Sequence, residues 1–169
     1  MTRQEYIKKF TRAAIDSTKG TKLFPSLVMA QAILESSNKY GVAGESLLAS
    51  KFNNHFGVKA DSRWKGKKVN LKTREVYDDK DVMIGDFFRV YDSPEQSFKD
   101  RNDFLTVNPR YRNAGVFNAT TPEDQAEALQ KAGYATDPNY AQLLILIIKS
   151  YSLKKLDEAA RKNEYSRSV

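Results

Sequence analysis

The sequence predicts an α+β fold, a mainly helical domain carrying one small β-hairpin. Three observations carry that reading. Apolar residues recur at helical spacing along most of the chain, and helix starts and stops are marked by capping residues, prolines and glycines. One central stretch alone switches to a period of two. A length of 169 residues fits one domain with its own core.

The first helix starts near Thr2. Thr2 and Glu5 have capping-box spacing, Tyr6, Phe10, Ala13 and Ala14 make one apolar stripe, and Gly20 stops it. A second helix opens at Pro25 and is expected to run to about Tyr40, with Gly41 as its stop. A short helix, Ser46 to Phe52, leads into a turn, Asn53 to Gly57. From Val69 to Tyr77 the chain alternates, and Val82 to Tyr91 is rich in Val, Ile, Phe and Tyr. These read as two strands joined by a turn over Asp78 to Asp81. Helices then resume. Ser93-Pro94-Glu95-Gln96 and Thr121-Pro122-Glu123-Asp124 each join an N-cap to a first-turn proline, and Gly133 closes the second of these helices. A last helix opens at Asp137-Pro138, with Ala141, Leu144, Ile145, Ile148 and Tyr151 on its buried side. The polar stretch from Asp157 onward is expected to fray.

Composition removes several classes of function. With 40% hydrophobic and 11% aromatic residues the chain is not a disordered one. It has no cysteine and a single histidine, His55, so disulfides, thiolate metal sites and His-rich metal sites are excluded, and no metal or other cofactor is expected. No glycine-rich phosphate loop appears. No run reaches the ~20 apolar residues of a membrane span, and Met1 to Glu5 does not resemble a signal peptide. The net charge of +7 favours an anionic partner. The basic residues are scattered rather than interleaved with aromatics, which argues against nucleic acid.

Catalysis in such a chain falls to carboxylates. Glu35 sits near the end of the most apolar helix, on the face shared with Val28 and Gln31. Apolar surroundings and the negative end of the helix dipole both favour its protonated form, as a glycosidase acid requires. Physics alone leaves a second reading, a helix-end glutamate pointing into water or capping a loop. Glu75 shares its strand face with Val69, Leu71, Thr73 and Tyr77. It fits either a base that activates water or a charge guarding an edge strand against aggregation. Phe56, Tyr111, Tyr134 and Tyr140 lie near turns, where aromatic faces can pack on sugar rings or simply fill the core. His55 reads as a structural hydrogen-bonder.

Four strings in order are similar to motifs of the glucosaminidase domains of glycoside hydrolase family 73. They are Q-A-I-L-E-S-S at Gln31 to Ser37, N-N-H-F-G-V-K at Asn53 to Lys59, F-R-V-Y-D-S-P-E-Q-S at Phe88 to Ser97 and G-Y-A-T-D-P-N-Y-A at Gly133 to Ala141. The resemblance covers about residue 4 to about residue 152. It implies a lysozyme-like fold with a cleft, and cleavage of the β-1,4 bond after N-acetylglucosamine in peptidoglycan. By position it makes Glu35 the general acid, Glu75 the second carboxylate and Tyr134 the active-site tyrosine, with Asn54, Phe56, Tyr111 and Tyr140 on the substrate. The mechanism stays open between water activated by Glu75 and attack by the substrate's own acetamido group. A muramidase, a lytic transglycosylase and a wall-binding module without catalysis are the competing readings. The expected organisation is a catalytic domain over 1–156 and a polar tail over 157–169. The protein is expected to act as a monomer on glycan strands of the cell wall, by an export route the sequence does not reveal.

Overall fold

The computed structural model describes the backbone of residues 1–168 and the side chains of 1–72 and 77–163. The first helix, α1 (Arg3–Thr18), starts with both bonds of the Thr2–Glu5 capping box in place, and Tyr6, Phe10, Ala13 and Ala14 are buried on one face. The second, α2 (Pro25–Glu35), is apolar on all sides, and every residue from Pro25 to Ile33 is buried. A helix of that composition belongs inside a bundle. It packs against α1, α6 (Pro122–Lys131), α7 (Tyr140–Ser150) and α8 (Lys154–Ser168). Leu27, Met29 and Ile33 are each almost wholly buried, which contributes roughly 1.5–3 kcal/mol per side chain.

Two helix ends differ from expectation. Helix α2 stops at Glu35, not near Tyr40. The Ser36 hydroxyl accepts the Gly44 amide at 2.9 Å, and Asn38 Oδ1 accepts the Tyr40 and Val42 amides, so a side-chain-bonded turn replaces the last helical turns. The expected fraying after Asp157 is also corrected: the boundary at 156–157 falls inside α8, and Asp157 is buried. Its carboxylate accepts the Ser26 amide at 2.8 Å and the Ser26 hydroxyl at 2.7 Å. This caps α2, which has no capping side chain of its own at Phe24.

The short helix α3 (Leu47–Phe52) is capped by Ser46. The antiparallel strands β1 (Lys68–Tyr77) and β2 (Lys80–Arg89) pair in register, Val69 with Phe88 and Glu75 with Val82. The turn is tighter than the expected four residues: Asp78 and Asp79 alone make it, both at positive φ, as a two-residue hairpin requires. Side chains of β2 grow more buried toward its base, from exposed Val82 through half-buried Ile84 and Asp86 to buried Phe88. The base is tied to the preceding loop by Arg89 N to Val58 O at 3.1 Å and Ala60 N to Phe87 O at 2.8 Å. Helices α4 (Pro94–Val107), capped by Ser93, and the unforeseen α5 (Pro109–Asn113) follow.

Candidate active site

The C-terminus of α2 delivers Glu35 to the floor of a cleft of about 350 Å³. The other walls come from the turn after α3 (Phe56, Gly57, Val58, Lys59, Asp61), from α4 and α5 (Phe104, Arg110, Tyr111) and from the loop after α6 (Tyr134, Ala135). Gly57, at φ +63°, turns the chain between Phe56 and Val58, and Gly133, at φ +79°, ends α6 and sends Tyr134 into the cleft.

Glu35 is half-buried. Its Oε1 accepts the Tyr140 hydroxyl at 2.8 Å, and the same hydroxyl accepts Gln31 Nε2 at 2.8 Å. The chain Gln31–Tyr140–Glu35 therefore fixes one carboxyl oxygen. Burial raises the pKa of Glu35, against the opposing pull of the Tyr140 hydrogen bond and the charge of Arg101. Burial thus favours the protonated form of a carboxyl beside an open cleft, the direction a general acid needs.

Asp61 is the contrasting carboxylate of the same cleft. Partial desolvation works to raise its pKa, but hydrogen bonds from Arg63 and the charges of Arg63 and Arg89 bring it below the usual range. Two carboxyl groups whose pKa values are pushed in opposite directions, Asp61 down and Glu35 up, thus border one cleft. Sequence reasoning missed Asp61; its only local signal is the Asp-x-Arg spacing to Arg63, a common turn pattern.

The aromatic residues divide. Phe56, Tyr111 and Tyr134 border the cleft, but Phe56 and Tyr111 are buried and, of the three, Tyr134 alone keeps appreciable exposed surface, which corrects the expectation that Phe56 and Tyr111 face the substrate. Tyr134 stacks on Tyr140 at 5.8 Å and lies 6.1 Å from Tyr111. Tyr140 itself is a correction: it is buried behind Glu35, with its hydroxyl committed to Gln31 and Glu35. Asn54 is a second correction. It is buried, its Nδ2 donates to Val58 O and Arg89 O, and its Oδ1 accepts the Val58 amide. Those bonds shape the Asn53–Gly57 turn and clamp the hairpin base, leaving Asn54 nothing to offer a sugar. The side chain of Glu75 lies outside the described residues. His55 is buried among Phe10 and Phe98, 2.6 Å from the Tyr6 hydroxyl, and burial lowers its pKa to about 4, so it is a neutral core residue. Among the described residues no cluster of His, Cys, Asp and Glu could hold a metal ion, and no helix is long and apolar enough to cross a membrane.

Comparison with known proteins identifies the family of this fold. Residues 11–153 match the glucosaminidase family, described as mannosyl-glycoprotein endo-beta-N-acetylglucosaminidase. The chain belongs to that family. It is 41% identical over 139 residues to the peptidoglycan hydrolase FlgJ of Salmonella typhimurium, covering 80% of this chain and 42% of that protein. It is 37% identical over 139 residues to the exo-glucosaminidase LytG of Bacillus subtilis, covering 80% of this chain and 47% of that protein. The catalytic domain of the autolysin Auto from Listeria monocytogenes superimposes with a TM-score of 0.77 at 34% identity, covering 92% of this chain and 87% of that one. This chain spans less than half the length of those two full-length relatives. The mainly helical fold with one hairpin and the family 73 resemblance read from the sequence are both met.

Proposed function

We propose that this glucosaminidase-family domain hydrolyses the β-1,4 bond after N-acetylglucosamine in peptidoglycan glycan strands at the cell wall, with Glu35 as general acid. The observation that carries the proposal is the setting of Glu35: largely desolvated, its pKa raised by burial, one oxygen fixed by Tyr140 and the carboxyl at the cleft. The family and its peptidoglycan-hydrolase relatives supply the substrate class. A protonated carboxyl at that point gives its proton to the glycosidic oxygen as the bond breaks. Tyr134, half-buried at the cleft, offers a face on which a sugar ring packs, with the buried Tyr111 and Phe56 packed beneath the cleft surface. Glu75 is the second carboxylate, serving either to activate water or to orient the substrate's acetamido group.

Mass spectrometry of digested sacculi tests this reading. The expected products end in N-acetylglucosamine at the reducing end and are missing with Glu35→Gln. Products ending in N-acetylmuramic acid, or in its anhydro form, would assign a different bond or a different chemistry.

A further inference from the structure

Arg101 is the most deeply placed charge in the molecule. It lies on α4, is 1% exposed, and packs its guanidinium 5.7 Å from the Phe56 ring centre. Its Nη1 donates to Asn102 Oδ1 at 2.8 Å. Its Nε and Nη2 are buried without a well-formed hydrogen bond, although the guanidinium also interacts with the Tyr134 hydroxyl, and no carboxylate among the described residues forms an ion pair with it. An arginine stays charged in proteins, and a buried charge with no counter-charge costs several kcal/mol. The structure carries that cost immediately behind the cleft.

Glu35 is the one acidic group among those that interact electrostatically with Arg101; the others are the hydroxyls of Tyr111, Tyr134 and Tyr140. The remaining charges at the cleft are matched locally or stand apart. Lys59 pairs with Asp86 at 2.9 Å and Asp61 with Arg63 at 3.1 Å, while Arg110 binds the Tyr111 hydroxyl at 2.8 Å. The arrangement is thus a buried cation, packed on the cleft-bordering Phe56, within electrostatic reach of a carboxyl whose neutral form burial favours.

We propose that Arg101 is a positioning residue for the reaction, the standing counter-charge for the carboxylate that Glu35 becomes. The inference rests on Glu35 being the general acid. When Glu35 gives its proton to the glycosidic oxygen, the bond from C1 to that oxygen breaks and its electron pair goes to the oxygen. The sugar on the reducing side leaves as an alcohol while C1 takes up an oxygen, that of water activated by Glu75 or first that of the acetamido group. Glu35 keeps one negative charge until it regains a proton, from solvent in the first route or from the water that opens the cyclised sugar in the second. Arg101 therefore gains its partner only as charge develops. An interaction stronger in the transition state than in the ground state raises turnover rather than substrate affinity. The orphaned donors in the resting enzyme are the preorganisation that such an effect requires.

The test is the pH profile of kcat and kcat/KM on soluble peptidoglycan fragments for Arg101→Gln and Asn102→Asp. The first removes the charge. The second keeps Arg101 in place but puts a private carboxylate where Asn102 Oδ1 now sits, so it also serves if Arg101→Gln fails to fold. In both, kcat should fall on the order of tenfold, less than the ~100- to 10,000-fold expected when the acid itself is removed. KM should stay within about twofold. The alkaline limb, which reports deprotonation of Glu35, should move to higher pH. A folded variant whose alkaline limb stays in place or moves to lower pH, or whose loss lies in KM, overturns the proposal. If Glu35→Gln remains active, it is the reading of Glu35 as acid that fails, and the two failures are told apart.

Discussion

The helical body and the β-hairpin use the same kinds of residue to opposite ends. In the body, apolar faces meet: α2 is enclosed on all sides, and its last residue is held by a chain of hydrogen bonds from Gln31 and Tyr140. In the hairpin, Tyr77, Met83 and Phe87 are exposed, and packing against the body is confined to the base, where Phe88 and Arg89 are buried. Ten-residue strands at ~3.3 Å per residue carry the tip roughly 30 Å from that base. The body therefore holds the Glu35 carboxyl by packing and a hydrogen-bonded chain, while the hairpin is a projecting arm tied to the body at its root. Glu35 belongs to the first regime and Glu75 to the second.

Substitutions can break this contrast, starting with the acid. Glu35→Gln should lower hydrolysis by ~100- to 10,000-fold with the far-ultraviolet spectrum and melting temperature preserved, since an amide cannot donate the proton. Activity within about threefold of wild type would move the acid elsewhere. Glu75→Gln probes the arm. If Glu75 activates water, turnover falls strongly and azide restores part of it with inversion. If the acetamido group attacks, the loss is smaller than for Glu35→Gln and a thiazoline mimic of the cyclised sugar binds tightly. Full activity on polymeric peptidoglycan removes Glu75 from the reaction.

Tyr140→Phe tests how far the body's rigidity serves the acid. It deletes the bond to Glu35 and leaves Gln31 Nε2 buried without a partner, beside an Oε1 that already has none. Turnover should fall about tenfold, and stability by about 1–3 kcal/mol, read from denaturant unfolding. Unchanged kcat would make the hydrogen bond architectural only.

His55 gives the body a pH signature. Its folded pKa, about 4, lies below the ordinary value of 6.5, so the unfolded chain binds more protons between those limits. Its stabilising effect is full above pH 6.5 and is lost as pH falls toward 4, amounting to about 3 kcal/mol. Glu35 and Asp157, whose pKa values are raised by burial, act in the opposite sense over part of the window. The contribution is isolated as the difference in pH slope between wild type and His55→Gln, and equal slopes would refute it. The smallest effect is expected at the hairpin tip. Asp79→Gly, at φ +60°, relieves a left-handed conformation and should stabilise the hairpin by about 0.5–1 kcal/mol, seen in tip amide exchange, with the body's exchange unaltered.

Local chemistry made much of this legible in the sequence. Thr2–Glu5, Ser93-Pro94 and Thr121-Pro122 start helices where their hydrogen-bonding groups dictate, and the place of Glu35 on the most apolar helix points to a desolvated carboxyl. What escaped depends on partners far along the chain. The end of α2 is set by a turn bonded to Gly44 and Val42. Nothing around Arg101, in the string Asp100-Arg101-Asn102-Asp103, distinguishes a buried arginine from a solvated one. Asn54 and Tyr140 look like polar surface groups until the hairpin base and α2 close over them. The polarity of α8 concealed a helix because Leu153, Leu156 and Asp157 find their burial against elements formed much earlier in the chain.

That last feature bears on how the enzyme comes into being. The amide at the start of α2 is bound by a carboxylate 131 residues further on. On a chain still leaving the ribosome, the helix that bears Glu35 has no cap, and none of its own flanking residues can substitute for one. Loop closure over so long a span is slow relative to local helix formation. The N-terminus of the helix that bears Glu35 therefore receives its cap only after α8 has been made and has docked.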